Sequence, residues 1–291
     1  MEIAGIKMKN PVMVASGTFG FGREYSDYIE LNKLGAIVTK SVTLKPREGN
    51  LPPRIVETPA GMLNSIGLQN EGVEFFLKED LPFLARFDTP TIVNIAGESI
   101  EEYAELAKRL GKETAVKGIE VNISCPNVKL GGMSFGVDPK LTKDVISAVR
   151  KATTQPVIAK LTPNVTDITV IARAAASAGA DAISAINTIV GMSIDIETGN
   201  SRLGTLTGGL SGPAIKPIAV RMVYEISRAV KVPVIGIGGI MTGNDAVEFL
   251  LAGAKAVQVG TANFIDTEAS IRIIREIEDH VHRHPRAFNF S

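Results

Sequence analysis

The chain has 291 residues, 45% hydrophobic and 21% charged, and its 31 basic and 31 acidic side chains cancel. That is the balance of a soluble globular protein with a sizeable core, and a neutral total gives no reason to expect nucleic acid as a partner. A single cysteine, Cys125, excludes an internal disulfide, a thiolate zinc site or an iron–sulfur cluster held by this chain alone; with no signal-like N-terminus and no run of 18 apolar residues, the expectation is one cytoplasmic domain spanning 1–291.

In chain order, eight short β-rich runs read as strands: PVMVAS (11–16), AIVTKS (36–41), TIVNIAG (91–97), GIEVNIS (118–124), PVIAKL (156–161), AISAIN (182–187), VPVIGIGG (232–239) and AVQVGTA (256–262). Between most of them lie amphipathic stretches with apolar residues every three or four positions: SIEEYAELAKRLGKE, LTKDVISAVRKAT, DITVIARAAASAGA, GPAIKPIAVRMVYEISRAV and TGNDAVEFLLAGA. Apolar strands alternating with helices imply a parallel sheet covered by helices. Eight units in roughly 260 residues predict a (β/α)₈ TIM barrel, with a doubly wound sheet as the alternative. The intervals 42–90 and 188–231 exceed what one helix needs and are rich in Gly, Pro and Asn, so they read as elaborated loops at the C-terminal face of the strands.

The strand ends carry the chemistry. They are Ser16; Lys40 and Ser41; Asn94; Asn122, with Cys125 just beyond; Lys160; Asn187 and Thr188; Gly238 and Gly239; and Gly260 and Thr261. Two lysines and three asparagines at the ends of apolar strands have no purpose in a bare scaffold, because burying such groups is costly unless they are paired. The pattern fits a polar, planar ligand held by several donors and acceptors. In VIGIGGIMTGNDA and AVQVGTANF, glycines followed by a helix start suggest a phosphate site at strands seven and eight, the phosphate belonging either to a substrate or to a cofactor such as FMN. GTFGFG (17–22) has the wrong spacing for a dinucleotide fingerprint. Histidine is confined to His280, His282 and His284 in the closing HVHRHPRAFNFS, which reads as a solvated tail. Cys125, in a proline-restricted turn after a strand, is then the candidate base or nucleophile.

Four motifs, NSIGLQNEG (64–72), VNISCPNVKLGG (121–132), AINTIVGM (185–192) and VIGIGGIMTGNDAVEFLLAGAKAVQVGTANF (234–264), resemble class 1 dihydroorotate dehydrogenases, FMN-containing barrels of pyrimidine biosynthesis, over Pro11 to about Phe264. The resemblance implies FMN contacts at Ser16, Lys40, Ser41, Asn94, Asn122, Lys160, Ile186, Gly212, Gly238, Gly239, Gly260 and Thr261. It implies dihydroorotate contacts at Lys40, Asn64, Ser65, Ile66, Gly67, Leu68, Asn122, Asn187 and Thr188, and Cys125 as the base. NSIGLQN and CPNVKLGGMSFG are most similar to class 1B, the NAD-linked type, whose catalytic chain pairs with a subunit carrying FAD and a [2Fe–2S] cluster in a heterotetramer of two catalytic and two partner chains. A class 1A enzyme using fumarate would share most of these features. A non-redox barrel with a Schiff-base lysine, Lys160 or Lys40, would explain the glycine motifs and leave NSIGL and SCPN without a role.

Overall fold

A computed structural model describes residues 1–124 and 135–284. Eight parallel strands close into a barrel: β1 (Val12–Val14), β2 (Ala36–Val38), β3 (Thr91–Ile95), β4 (Val116–Asn122), β5 (Val157–Leu161), β6 (Ala182–Ala185), β7 (Val234–Ile237) and β8 (Ala256–Val259). Each strand pairs with the next, and Gln258 opposite Met13 closes the ring between β8 and β1. All eight sequence-predicted strands are there, and the doubly wound alternative is excluded.

Both faces of each strand are buried, which is why the runs read as nearly continuous apolar sequence. The outward residues, such as Val12, Ile37, Val93, Ile119, Ala159, Ile183 and Val257, pack with the apolar stripes of the surrounding helices, among them Tyr103, Leu106, Val145, Val149, Ile171, Val223, Phe249 and Ile273. Those helices include Ile100–Leu110, Pro139–Ala152, Ile168–Ser177, Lys216–Ala229 and Gly243–Leu251. Their starts follow ordinary capping chemistry: the Ser99, Asp138 and Asp167 side chains accept from backbone N–H groups in the first turn, and Thr242 with Asp245 forms a capping box.

The inward residues form layers. At the N-terminal end, Met13, Ala36, Val38, Ile92, Ile158, Ala182, Ile235 and Ala256 pack against Ile3, Ile6 and Met8. Those last three come from an N-terminal hairpin, Glu2–Ile3 with Ile6–Lys7, whose two turn residues Ala4 and Gly5 both have positive φ (51° and 83°), as a two-residue hairpin turn demands. The hairpin plugs the lower end, so the barrel opens only where its strands finish.

The two long intervals differ from simple loops. Ile189–Gly191, Gly208–Ser211, Gly61–Asn64 and Ile55–Thr58 form a four-stranded antiparallel sheet in that order, stitching one interval to the other. Ile189 begins four residues after β6 ends, which stands this sheet on the C-terminal face. The first interval also contains continuous helical backbone, Gly72–Phe75, Phe76–Asp80 and Leu81–Leu84, that buries Val73, Phe76, Leu81 and Leu84. The C-terminal histidines are not in a tail as expected: His280 and His282 lie in the last turn of the helix Ala269–Arg283, whose buried face is Ile271, Ile273, Ile274 and Ile277, and the His280 and His284 rings pack 4.6 Å apart. The isoleucine spacing extends the helix through the histidines. Among the described residues no helix is long and apolar enough to cross a membrane.

Candidate active site at the barrel mouth

Above the apolar layer the barrel interior turns polar, and its centre is a residue that the strand-end reading passed over. Glu120 on β4 is fully buried. Its Oε1 accepts from Asn94 Nδ2 on β3 (2.7 Å) and lies 3.7 Å from Lys160 Nζ on β5; its Oε2 accepts from Ser184 Oγ on β6 (2.8 Å) and Gln258 Nε2 on β8 (2.7 Å). Asn94 is anchored at its other end as well, where Oδ1 accepts from Ser41 Oγ. Three neutral donors and one ammonium surround Glu120, the surroundings an acceptor-only carboxylate needs when it is buried. The signal was present in the sequence: Glu120 precedes Asn122 by two, so both point the same way from one strand, and Ser184 and Gln258 break otherwise apolar strands at inward positions.

One step higher are the expected mouth residues. Asn122 is buried beside Lys160, its partner in the β4–β5 register. Its Oδ1 accepts from Ser124 N, while Ser124 Oγ donates to the Lys160 carbonyl (3.0 Å). Asn187 Nδ2 approaches Asn122 Oδ1 at 3.5 Å, and Asn187 Oδ1 accepts from Thr188 N. Asn164, absent from the sequence-based site, holds this corner: its Nδ2 donates to the Thr188 carbonyl and its Oδ1 accepts from Val190 N. Asn64 Nδ2 donates to the Gly209 carbonyl, joining the two halves of the antiparallel sheet.

The NSIGL segment is shaped by strained backbone. Gly67 has φ 78°, and Leu68, with φ 59°, is one of only two described non-glycine residues with positive φ, the other being Ala4 in the hairpin turn. Its carbonyl accepts from Asn70 Nδ2, and buried Asn70 also accepts from the N–H groups of Thr43 and Gly72. Asn70 thus clamps the loop, a role its place in NSIGLQNEG did not reveal. Within the segment Ser65 Oγ is buried and makes no hydrogen bond among the described residues. Ile66, like Gly67 and Leu68, is only partly buried. Lys40 is half-buried nearby; burial chiefly, with help from Arg54, pulls its ammonium below the ordinary lysine range against the opposing pull of Glu24 and Glu71.

Across the mouth the glycine motifs converge. Gly238 and Gly239 have φ 127° and 73°, and a Cβ on Gly239 would come within 2.8 Å of the Gly212 carbonyl oxygen. A Cβ on Gly238 would sit 3.5 Å from Ile186 Cγ1, and Thr261 Oγ1 donates to Ser211 Oγ (2.8 Å). Ile186, Gly212, Gly238, Gly239 and Thr261 are therefore one patch. Gly260, next to Thr261, continues it toward β1, since a Cβ there would lie 3.5 Å from the methyl of Ala15, the residue before Ser16. Cys125 and the following residues to Ser134 lie outside the described residues, so the candidate base is placed by sequence alone, next to Ser124.

The fold and this mouth together define a (β/α)₈-barrel enzyme. The family profile for dihydroorotate dehydrogenase matches residues 1–281, and the chain belongs to that family. The dihydroorotate dehydrogenase B (NAD(+)) catalytic subunit of Pelobacter propionicus is 60% identical over 284 residues, covering 98% of this chain and 93% of its own length. Counterparts of the same name from Geobacter sp. (strain M21) and Thermoanaerobacter sp. (strain X514) are 58% identical, covering 98% and 97% of this chain and 93% of theirs. Among solved structures, DHODH from Eimeria tenella, in complex with ferulenol, superposes with a TM-score of 0.81 at 23% identity, over 98% of this chain and 85% of its own, a likeness of fold.

Proposed function

We propose that this chain acts as the catalytic subunit of a cytoplasmic, NAD-linked dihydroorotate dehydrogenase: it binds FMN, oxidises dihydroorotate to orotate, and passes the electrons through a partner subunit bearing FAD and a [2Fe–2S] cluster. The observation that carries the reading is 58–60% identity, over nearly the whole chain, to catalytic subunits of that name. The chain's one cysteine supports the division of labour, since the cluster's thiolates must come from elsewhere.

The residues present fit FMN. Gly260 has no left-handed φ, and a Cβ there would meet Ala15 and Thr18 only at 3.5–3.9 Å, ordinary contact distances. The fold does not itself require glycine at this position; a phosphate closing on the backbone does. Gly238, Gly239 and Thr261 would complete that phosphate cradle, while Ser16, Ser41, Asn94, Asn122, Ile186, Gly212 and Lys160 would hold the rest of the cofactor. When bound, FMN supplies the hydride acceptor. Asn64, Asn122, Asn187, Thr188 and the NSIGL backbone supply the directional donors and acceptors that a pyrimidine ring needs, and Lys40 answers the substrate's carboxylate. Cys125 removes the proton from C5 as C6 gives up hydride, leaving the C5–C6 double bond of orotate.

The test is direct. Protein reconstituted with FMN is expected to be yellow and to bleach when dihydroorotate is added without oxygen. Failure to retain flavin would overturn the reading, and turnover of the isolated chain with fumarate would replace NAD as the acceptor.

Lys40 gives the reading a pH dependence with a definite sign. An anionic ligand favours the charged ammonium, so orotate binding takes up a proton wherever free Lys40 is partly neutral. Because burial has lowered its pKa, affinity is expected to fall at a lower alkaline pH than an ordinary lysine would dictate. The full loss is about 10- to 100-fold, the value of one charge-assisted hydrogen bond. Titrating orotate against the flavin spectrum across alkaline pH measures it, and Lys40→Gln should give weak binding with no such slope.

A further inference from the structure

Glu120 lies buried at the centre of the barrel and has no part in the contacts proposed above. Its carboxylate accepts from side chains on three other strands, Asn94 at Oε1 and Ser184 and Gln258 at Oε2, and faces the Lys160 ammonium on a fourth across 3.7 Å. Two of those neighbours, Asn94 and Lys160, are among the residues assigned to FMN. The Asn94 amide is thereby fixed in orientation, with Nδ2 toward Glu120 and Oδ1 toward Ser41. Lys160, itself buried, has the Glu120 carboxylate as its ion-pair partner. A buried ammonium with an anion 3.7 Å away delivers less positive charge to its surroundings than a bare one, because in a low-dielectric interior the two fields largely cancel at a distance.

We propose that Glu120 is a positioning residue for the flavin site: it holds Lys160 and Asn94 in place from below and, by partly neutralising Lys160, sets how strongly the site favours reduced flavin. This rests on the FMN reading. It goes beyond it by assigning control of the redox balance to a residue that the ligand does not touch. Keeping Glu120 as a counter-charge prevents the site from over-stabilising reduced flavin, which must still give its electrons to the next carrier.

Glu120→Gln tests the idea with shape nearly conserved. The substituted side chain keeps one oxygen as acceptor; Gln258, which now donates its Nε2 to Glu120, can turn its amide over so that Oε1, buried and without a hydrogen bond among the described residues, accepts from the new amide donor. The readout is the equilibrium of bound FMN with a reference dye, followed by absorbance. With the negative charge gone, the reduced-to-oxidised flavin ratio at a fixed dye ratio is expected to rise about tenfold or more. Glu120→Asp keeps the charge but shortens the reach. It is expected to hold the flavin ratio within about threefold of the parent while weakening FMN binding to the apoprotein, measured by quenching of flavin fluorescence. A Glu120→Gln variant that binds FMN with an unchanged or lowered ratio overturns the proposal, as does a Glu120→Asp variant whose ratio moves as far as that of Glu120→Gln. If Glu120→Gln does not hold flavin, Glu120→Asp alone decides through its ratio. A parent protein that takes up no FMN defeats the functional reading instead, so the two failures are separate.

Discussion

Replacing Cys125 with alanine is expected to leave FMN bound and to slow its reduction by dihydroorotate by about 10²- to 10⁴-fold near neutral pH, the usual contribution of a positioned general base. The three histidines all lie at positions 280 to 284, at the end of the last helix or just after it, away from the strand ends. Among the polar groups at the mouth the asparagines orient a ring but have no basic nitrogen to take a carbon-bound proton, and Lys40 and Lys160 are assigned to hold the substrate carboxylate and the flavin. A thiol ordinarily titrates at about 8.5, so reduction by the parent protein should accelerate toward alkaline pH until the thiolate is fully formed. The alanine variant should lose both the rate and that rise. Anaerobic stopped-flow reduction across pH measures the two together, and a variant that reduces at the parent's rate would remove Cys125 from the base role. Flavin content is the necessary control, since a loss of FMN would mimic a loss of chemistry.

The barrel was legible because parallel strands buried on both faces leave an uninterrupted apolar signature, and the helices between them carry 3.6-residue periodicity with clear caps at Ser99, Asp138, Asp167 and Thr242. The antiparallel sheet at the mouth was not legible, because its pairs are non-local: Leu63 lies opposite Leu210 and Asn64 opposite Gly209, almost 150 residues apart, in glycine-rich segments of three or four residues. The mouth residues at the strand ends were accessible to a reading that asks where apolar runs stop. Glu120, Ser184 and Gln258 were not, because they lie inside the runs, and only the alternation of strand faces marks them as sharing one interior layer. Asn70 and Asn164 escaped for a different reason. Each sits in a loop, where asparagine is ordinary, and its importance lies in which distant backbone groups it satisfies: the carbonyls of Leu68 and Thr188 and the N–H groups of Gly72 and Val190.

Lys160→Met should have the largest effect on the folded protein itself. The substitution is close in volume and removes the ammonium 3.7 Å from Glu120, leaving a carboxylate with no exposure to solvent and only three neutral donors. Breaking a buried pair from one side costs about 3–5 kcal/mol, because the remaining charge stays desolvated without its partner. In a chain of this size that corresponds to a melting temperature lower by about 6–15 °C. The same change withdraws the positive charge proposed to offset the negative charge that develops as flavin accepts hydride. Reduction by dihydroorotate should therefore slow by about 10²- to 10³-fold in whatever fraction binds FMN. The double variant Lys160→Met with Glu120→Gln separates the two consequences. Removing both charges should restore most of the melting temperature, since neutral groups of similar shape replace the pair, while flavin reduction should stay slower than in the parent because the ammonium is still missing, yet less slow than in Lys160→Met because the opposing carboxylate has gone too. Thermal melts of the apoprotein and stopped-flow reduction of the flavin-loaded protein read the two effects independently. If the double variant melted as low as Lys160→Met alone, the Glu120 carboxylate would not be the source of the instability. If it recovered the parent's full rate, Lys160 would have no electrostatic part in the chemistry.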